Sequence, residues 1–290
     1  MIHELENETI ILRMKEGGAE LTSVMLKSDG TEYIWQGDPA YWGRHAPVLF
    51  PIVGRLVNDT YLVDLKSFHL TQHGFARDMM FKVTNKSEKS IRFVLNSTKG
   101  TLEHYPFPFE LSITYILEDN SVVVIYSVHN IGDKEMFFSV GAHPAFNCPM
   151  NSGETFEDYY LEFGEIENLE TYILEDGYRQ NSKRKIAPPS KTLPLAKSLF
   201  KDDAIILEEM KENKISIRSN RHERFVQVEF PDFPFIGIWT PYNKAPFLCI
   251  EPWQGLADEI GHPVELSKKK GILPLESGGT YTGKFKITVG

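Results

Sequence analysis

Cysteine is nearly absent from this 290-residue chain: only Cys148 and Cys249 occur, with no Cys-x-x-Cys pair. Two thiols cannot build a disulfide framework in a chain of this size, and without a local basic cluster neither reads as an activated nucleophile. Both read as buried thiols. Long apolar runs are missing too, so no segment reaches membrane-spanning length. The opening Met1-Ile2-His3-Glu4-Leu5-Glu6 carries acids where a secretory leader carries bases, and a cytoplasmic protein is expected. Basic residues are in deficit, 31 Lys and Arg against 40 Asp and Glu for a formal charge of −9, which disfavours nucleic acid or an anionic membrane as partner. A neutral small molecule suits that balance better. There is no G-x-G-x-x-G, no Walker sequence and no His-x-x-x-His pair, so neither a nucleotide cofactor nor a metal is expected. Sustained i, i+3, i+4 apolar spacing is also lacking, and the best helical stretch, 194–199, is short.

Period-two alternation dominates instead. Phe109-Glu110-Leu111-Ser112-Ile113-Thr114-Tyr115-Ile116-Leu117, then Glu118-Asp119-Asn120 and Ser121-Val122-Val123-Val124-Ile125-Tyr126, spells a hairpin. Residues 80–84 with 91–95, 215–218 with 225–230, and 285–289 repeat the pattern. The apolar fraction of 41% and charged fraction of 24% are those of a chain with a packed core. An all-β fold follows, with two large antiparallel sheets packed as a sandwich in one domain over residues 1–290. The polar, basic, proline-containing stretch 180–194 is the sole weak boundary signal and reads as a long surface loop.

Two strings set proton-transfer groups where apolar runs give way to Pro and Gly: Gly141-Ala142-His143-Pro144-Ala145-Phe146-Asn147 and Cys249-Ile250-Glu251-Pro252-Trp253-Gln254-Gly255. Glu251 follows a buried-type run and precedes a proline that cannot donate to a ladder. It is either a surface carboxylate at a strand end or a desolvated one whose raised pKa suits a general base. His143, with an ordinary pKa near ~6.5, is either a turn-bonded structural histidine or a proton donor at a site. Trp253 is either a core aromatic or a platform for the apolar face of a pyranose. Arg55, after Gly54 in an apolar stretch, needs a partner, either an internal carboxylate or vicinal hydroxyls. Taken with Arg44, His45, His73 and Arg77, it leaves an anionic sugar open if these groups converge. Asp202-Asp203 before the apolar run 204–207 reads by itself as an exposed acidic pair.

These strings, together with Gly54-Arg55 and His73-Gly74-Phe75-Ala76-Arg77, resemble the aldose 1-epimerase (sugar mutarotase) family, in the right order along nearly the whole chain. The likeness is greatest to the lactose-operon-associated branch. The resemblance implies an oversized β-sandwich with a sugar groove on one sheet, and cofactor-free interconversion of the α and β anomers of a hexose. It implies Glu251 as base and His143 as acid, with Arg55, His73, Arg77, Asp203 and Trp253 holding the sugar. The expected partner is a small-molecule sugar, and the expected assembly a monomer or homodimer. Two other readings stand beside it: a hexose-6-phosphate mutarotase, and a non-catalytic sugar-binding or sensor protein. Glycoside hydrolysis ranks last, since it needs two carboxylates across the scissile bond and one is well placed.

Overall fold

A computed structural model of the chain describes residues 1–164, 169–188, 190–208, 210–242 and 245–290. The alternation of the sequence becomes a nine-stranded antiparallel sheet, in which the strands Phe109–Glu118, Ser121–Asn130 and Thr280–Val289 lie side by side. The hairpin turn pairs Glu118 with Ser121, leaving Asp119 and Asn120 between the strands, and Asp119 takes φ +43°. Along these strands Phe109, Leu111, Ile113, Val122, Val124, Phe285 and Ile287 are buried at every second position. They face inward because side chains of a strand alternate between its two faces.

A second sheet of six strands covers this inner face, with Phe247–Gln254 at its centre between Phe235–Trp239 and Val140–Ala142. Its central strand is buried almost throughout, so it does not read as amphipathic. Leu248 and Ile250 enter the core shared with the large sheet, whereas Phe247, Cys249 and Trp253 belong to smaller clusters on the opposite face. The main core draws side chains from Leu5 to Val289. Loops and short hairpins border a cavity on the opposite face.

Two local expectations are corrected. The stretch 180–194 is not a loop: most of it belongs to the strand Tyr178–Ala187, paired with Leu169–Glu175, and Thr192–Pro194 joins the edge of the nine-stranded sheet. The helical stretch 194–199 is a 3-10 turn, Lys197–Phe200, following that edge strand. Among the described residues the α-helix is the short Lys99–His104, opened by a reciprocal Thr98–Thr101 capping box. Among those residues, too, no helix is long and apolar enough to cross a membrane.

Candidate active site

The period of two decides what reaches the cavity. Because Leu248 and Ile250 face the core, Glu251 and Trp253 must face the other way, into a cavity of about 360 Å3. Glu251 is 1% exposed and His143 8%. His143 follows the neighbouring strand Val140–Ala142, where its backbone N–H donates to the Pro47 carbonyl at 3.1 Å. Its Nε2 lies 3.2 Å from Glu251 Oε2. The two atoms touch without hydrogen-bond alignment, so that buried oxygen has no partner.

Three rings fix the His143 imidazole. Trp42 stacks on it with centroids 4.8 Å apart, and His73 and Trp239 meet it edge-on, each at 5.7 Å. Burial pushes the Glu251 carboxyl well above its ordinary range, and the charge of nearby Asp203 pushes the same way. Burial drives His143 down to about 3. Burial therefore favours the uncharged form of each group, a state in which the pair holds one proton. Glu251–COOH beside neutral imidazole and Glu251–COO⁻ beside imidazolium are two positions of that same proton.

His73 carries a second constraint. Its backbone N–H donates to the Gly54 carbonyl at 2.9 Å, while the Gly54 N–H donates to His73 Nδ1 at 3.1 Å. Nδ1 is thus an acceptor, and since burial also lowers this imidazole well below its usual pKa, the ring is neutral with its proton on Nε2. It is a hydrogen-bond donor toward the cavity. Gly54 has φ +76°, and a Cβ there would meet Ala257 at 2.5 Å, so the reciprocal pair requires glycine.

Arg77 also lines the cavity, with Nη2 donating to the Gln72 carbonyl at 2.7 Å and Nε, which makes no hydrogen bond, ion-paired with Asp78 Oδ2 at 3.7 Å. Asp203 stands exposed at the rim at φ +84°, its Oδ1 accepting from the Ala204 N–H at 2.8 Å. The Trp253 indole spreads over both neighbouring strands: a Cβ on Gly141 would fall 2.9 Å from it and one on Gly237 2.5 Å. Its Nε1 is buried without a partner. Glu251 and Trp253 thus both present unsatisfied buried polar atoms at the cavity, as a site for a hydroxyl-rich ligand does.

Five of the sequence's candidates other than Arg55, namely His73, Arg77, His143, Asp203 and Trp253, meet here around Glu251. Arg55 does not join them. Its Nη1 donates to the Asp176 carbonyl at 2.8 Å and its guanidinium lies over Tyr178, so it ties down the hairpin turn 176–177 beside a shallower adjoining opening. The basic groups do not gather as free cations either: Arg44 and Arg77 both pair with Asp78, and the backbone N–H of His45 donates to Glu20. Trp42 and Trp239 line the cavity but have no sequence signature of their own, since they stand far apart as isolated aromatics. The available signal was their scarcity: of four tryptophans, Trp42, Trp239 and Trp253 line the cavity and Trp35 packs with Phe247 and Cys249 behind it.

Comparison with known proteins bears on the family and the fold. Residues 1–272 match the aldose 1-epimerase family. Protein LacX, plasmid, of Lactococcus lactis subsp. lactis is 37% identical over 302 aligned residues, covering 100% of this chain and 99% of that one. A galactose mutarotase related enzyme from Lactobacillus acidophilus superposes with a TM-score of 0.96 at 39% identity, covering 100% of this chain and 97% of that one. A galactose mutarotase-like protein from Lactobacillus casei gives 0.95 at 34%, with both chains fully covered. Sequence and fold agree, and the chain belongs to the aldose 1-epimerase family.

Proposed function

We propose that this protein is a cofactor-independent mutarotase that interconverts the α and β anomers of a neutral hexose. The observation that carries the reading is the buried His143–Glu251 contact of 3.2 Å at the base of an open, aromatic-walled cavity. Anomerisation needs one group to remove the proton of the C1 hydroxyl and another to protonate the ring oxygen. A pair that shares one proton supplies both. With the proton on His143, Glu251 is the base and His143 the acid; ring opening gives the free aldehyde. Rotation about C1–C2 and closure with the roles reversed give the other anomer. No covalent intermediate is formed.

The remaining groups orient the sugar. His73 offers Nε2–H to a hydroxyl or to the ring oxygen, Arg77 offers its guanidinium at the cavity wall, and Asp203 accepts from a hydroxyl at the rim. Trp253 lies flat for the apolar face of the pyranose. Charge favours a neutral sugar over a sugar phosphate: Arg44 and Arg77 share the Asp78 carboxylate, Arg55 is held by the Asp176 backbone carbonyl, and Asp203 adds a negative charge to the rim. One arginine against a carboxylate is a weak dianion site.

The test is polarimetric relaxation of freshly dissolved α-glucose and α-galactose, with glucose 6-phosphate followed by NMR exchange. Wild type should speed the neutral sugars, and Glu251→Gln should lose at least about 100-fold in rate while still binding sugar. Unchanged turnover in Glu251→Gln would remove Glu251 as the base. Binding without acceleration in wild type would make the protein a sugar sensor.

A further inference from the structure

We propose that His143, Cys249 and Glu251 form a binding site for a zinc-class divalent cation, and that the bound ion blocks the sugar chemistry. A ring nitrogen of His143, the Cys249 sulfur and a carboxylate oxygen of Glu251 all lie within 4.8 Å of one another, and all three residues are buried. The strand places them so: Cys249 and Glu251 are two residues apart and share the cavity-side face, and His143 approaches from the adjoining strand. Imidazole, thiolate and carboxylate are the three ligand types zinc takes together, and a site with three protein ligands keeps a fourth position open. Two of the three ligands, His143 and Glu251, line the cavity, and Cys249 is buried behind it.

The geometry is already close to coordination. A tetrahedral ion with bonds of about 2.0–2.3 Å holds its ligand atoms roughly 3.3–3.6 Å apart. The His143–Glu251 contact is 3.2 Å, so those two need no approach, and Cys249 closes the remainder by a side-chain adjustment. An independent observation points to a ligand as well: Glu251 Oε2 is buried with no hydrogen-bond partner. Coordination would release the thiol proton and the carboxyl proton to solvent, so that thiolate and carboxylate balance the +2 ion and the buried unit is neutral. Such an ion occupies both members of the acid/base pair. The blocking of catalysis rests on the mutarotase reading above; the coordination does not.

The experiment titrates Co2+ into the chelator-treated full chain while recording its absorption, then measures inhibition of anomerisation by Zn2+. The expected result is a thiolate-to-cobalt charge-transfer band with the intense visible bands of a four-coordinate ion. Cys249→Ser should lose that charge-transfer band and weaken Zn2+ inhibition at least about tenfold, each variant being referred to its own metal-free rate. Cobalt binding without a thiolate band, or a band that survives in Cys249→Ser, overturns the site. If Cys249→Ser does not fold, Cys148→Ser decides: it should keep the band, and its loss there would move the metal to Cys148 and overturn the proposal. A wild type with no mutarotase activity but a Cys249-dependent band would sink the functional reading and leave the metal site standing.

Discussion

Glu251 and His143 each resist the charge their chemistry requires, and that resistance dictates how the rate depends on pH. The active pair carries one proton. Acid adds a second to His143 only as pH approaches about 3, and base removes the one on Glu251 only well above the ordinary carboxylate range. The limb of kcat/KM that reports loss of the shared proton should therefore lie above the ordinary carboxylate range, with no limb near the usual glutamate pKa of about 4.3. A pH profile with an acid limb there would show that Glu251 titrates as an ordinary exposed base. The same burial has a cost in stability. A folded-state pKa raised above the unfolded value stabilises below the unfolded pKa, and that contribution is lost as pH rises through the folded pKa. Wild type should thus lose stability from about pH 4 upward through this group, whereas Glu251→Gln has no such loss. Thermal unfolding at several pH values should show the Gln variant gaining on wild type as pH rises to 8. A gap constant with pH would mean that Glu251 is ionised in the folded state.

At the scale of the strand, the site depends on how Phe247–Gln254 is flanked. Gly141 pairs with Trp253 and Gly237 with Glu251 in the two adjacent strands, and the Trp253 indole spreads over both glycines. A Cβ at Gly237 would stand 2.5 Å from the indole ring, so Gly237→Ala must displace it. The expected cost is about 1–3 kcal/mol of stability, as for overpacking of a core, with KM raised more than kcat is lowered because the sugar platform moves while the proton pair stays. Chemical denaturation and steady-state kinetics check both parts. What sequence could show follows the same geometry. The strands with one buried face, such as Phe109–Glu118, were legible because alternation survives in them. Tyr178–Ala187 was not, since nearly all of its side chains are exposed or half-buried on both faces and leave a polar run that reads as loop. Glu251 and His143 were legible because each breaks an apolar run. Where the Arg55 guanidinium lies was not legible, because adjacency to Gly54 fixes its backbone but not the direction of a long side chain, which reaches over Tyr178.

At the scale of the whole molecule, segments distant in sequence are fastened behind the cavity by one buried ion pair. Lys269 Nζ lies 2.7 Å from Asp258 Oδ1, with both side chains under 5% exposed. Asp258 Oδ2 accepts from the Val57 N–H at 3.0 Å, its backbone N–H donates to the Arg55 carbonyl at 2.8 Å, and its carbonyl accepts from the Arg179 N–H at 2.8 Å. The residue before it, Ala257, is the one packed against Gly54, whose N–H sets the His73 tautomer. Asp258 and Lys269 are thus positioning residues, joining the 54–57 turn, the hairpin strand Tyr178–Ala187 and the 255–258 turn into one wall. Lys269→Met would leave a buried carboxylate unpaired, at a cost of about 3–5 kcal/mol. Adding Asp258→Leu removes that charge and should restore most of the stability, less the roughly 1–3 kcal/mol of the orphaned Val57 N–H. Activity should not follow stability back, because the double variant no longer ties Val57 to Asp258 and so loosens Gly54 against Ala257. The expected double variant is therefore folded at 25 °C, with KM above wild type. Recovery of both stability and KM would make the pair a purely structural contact, whereas recovery of stability alone identifies it as the anchor that aims His73 into the cavity.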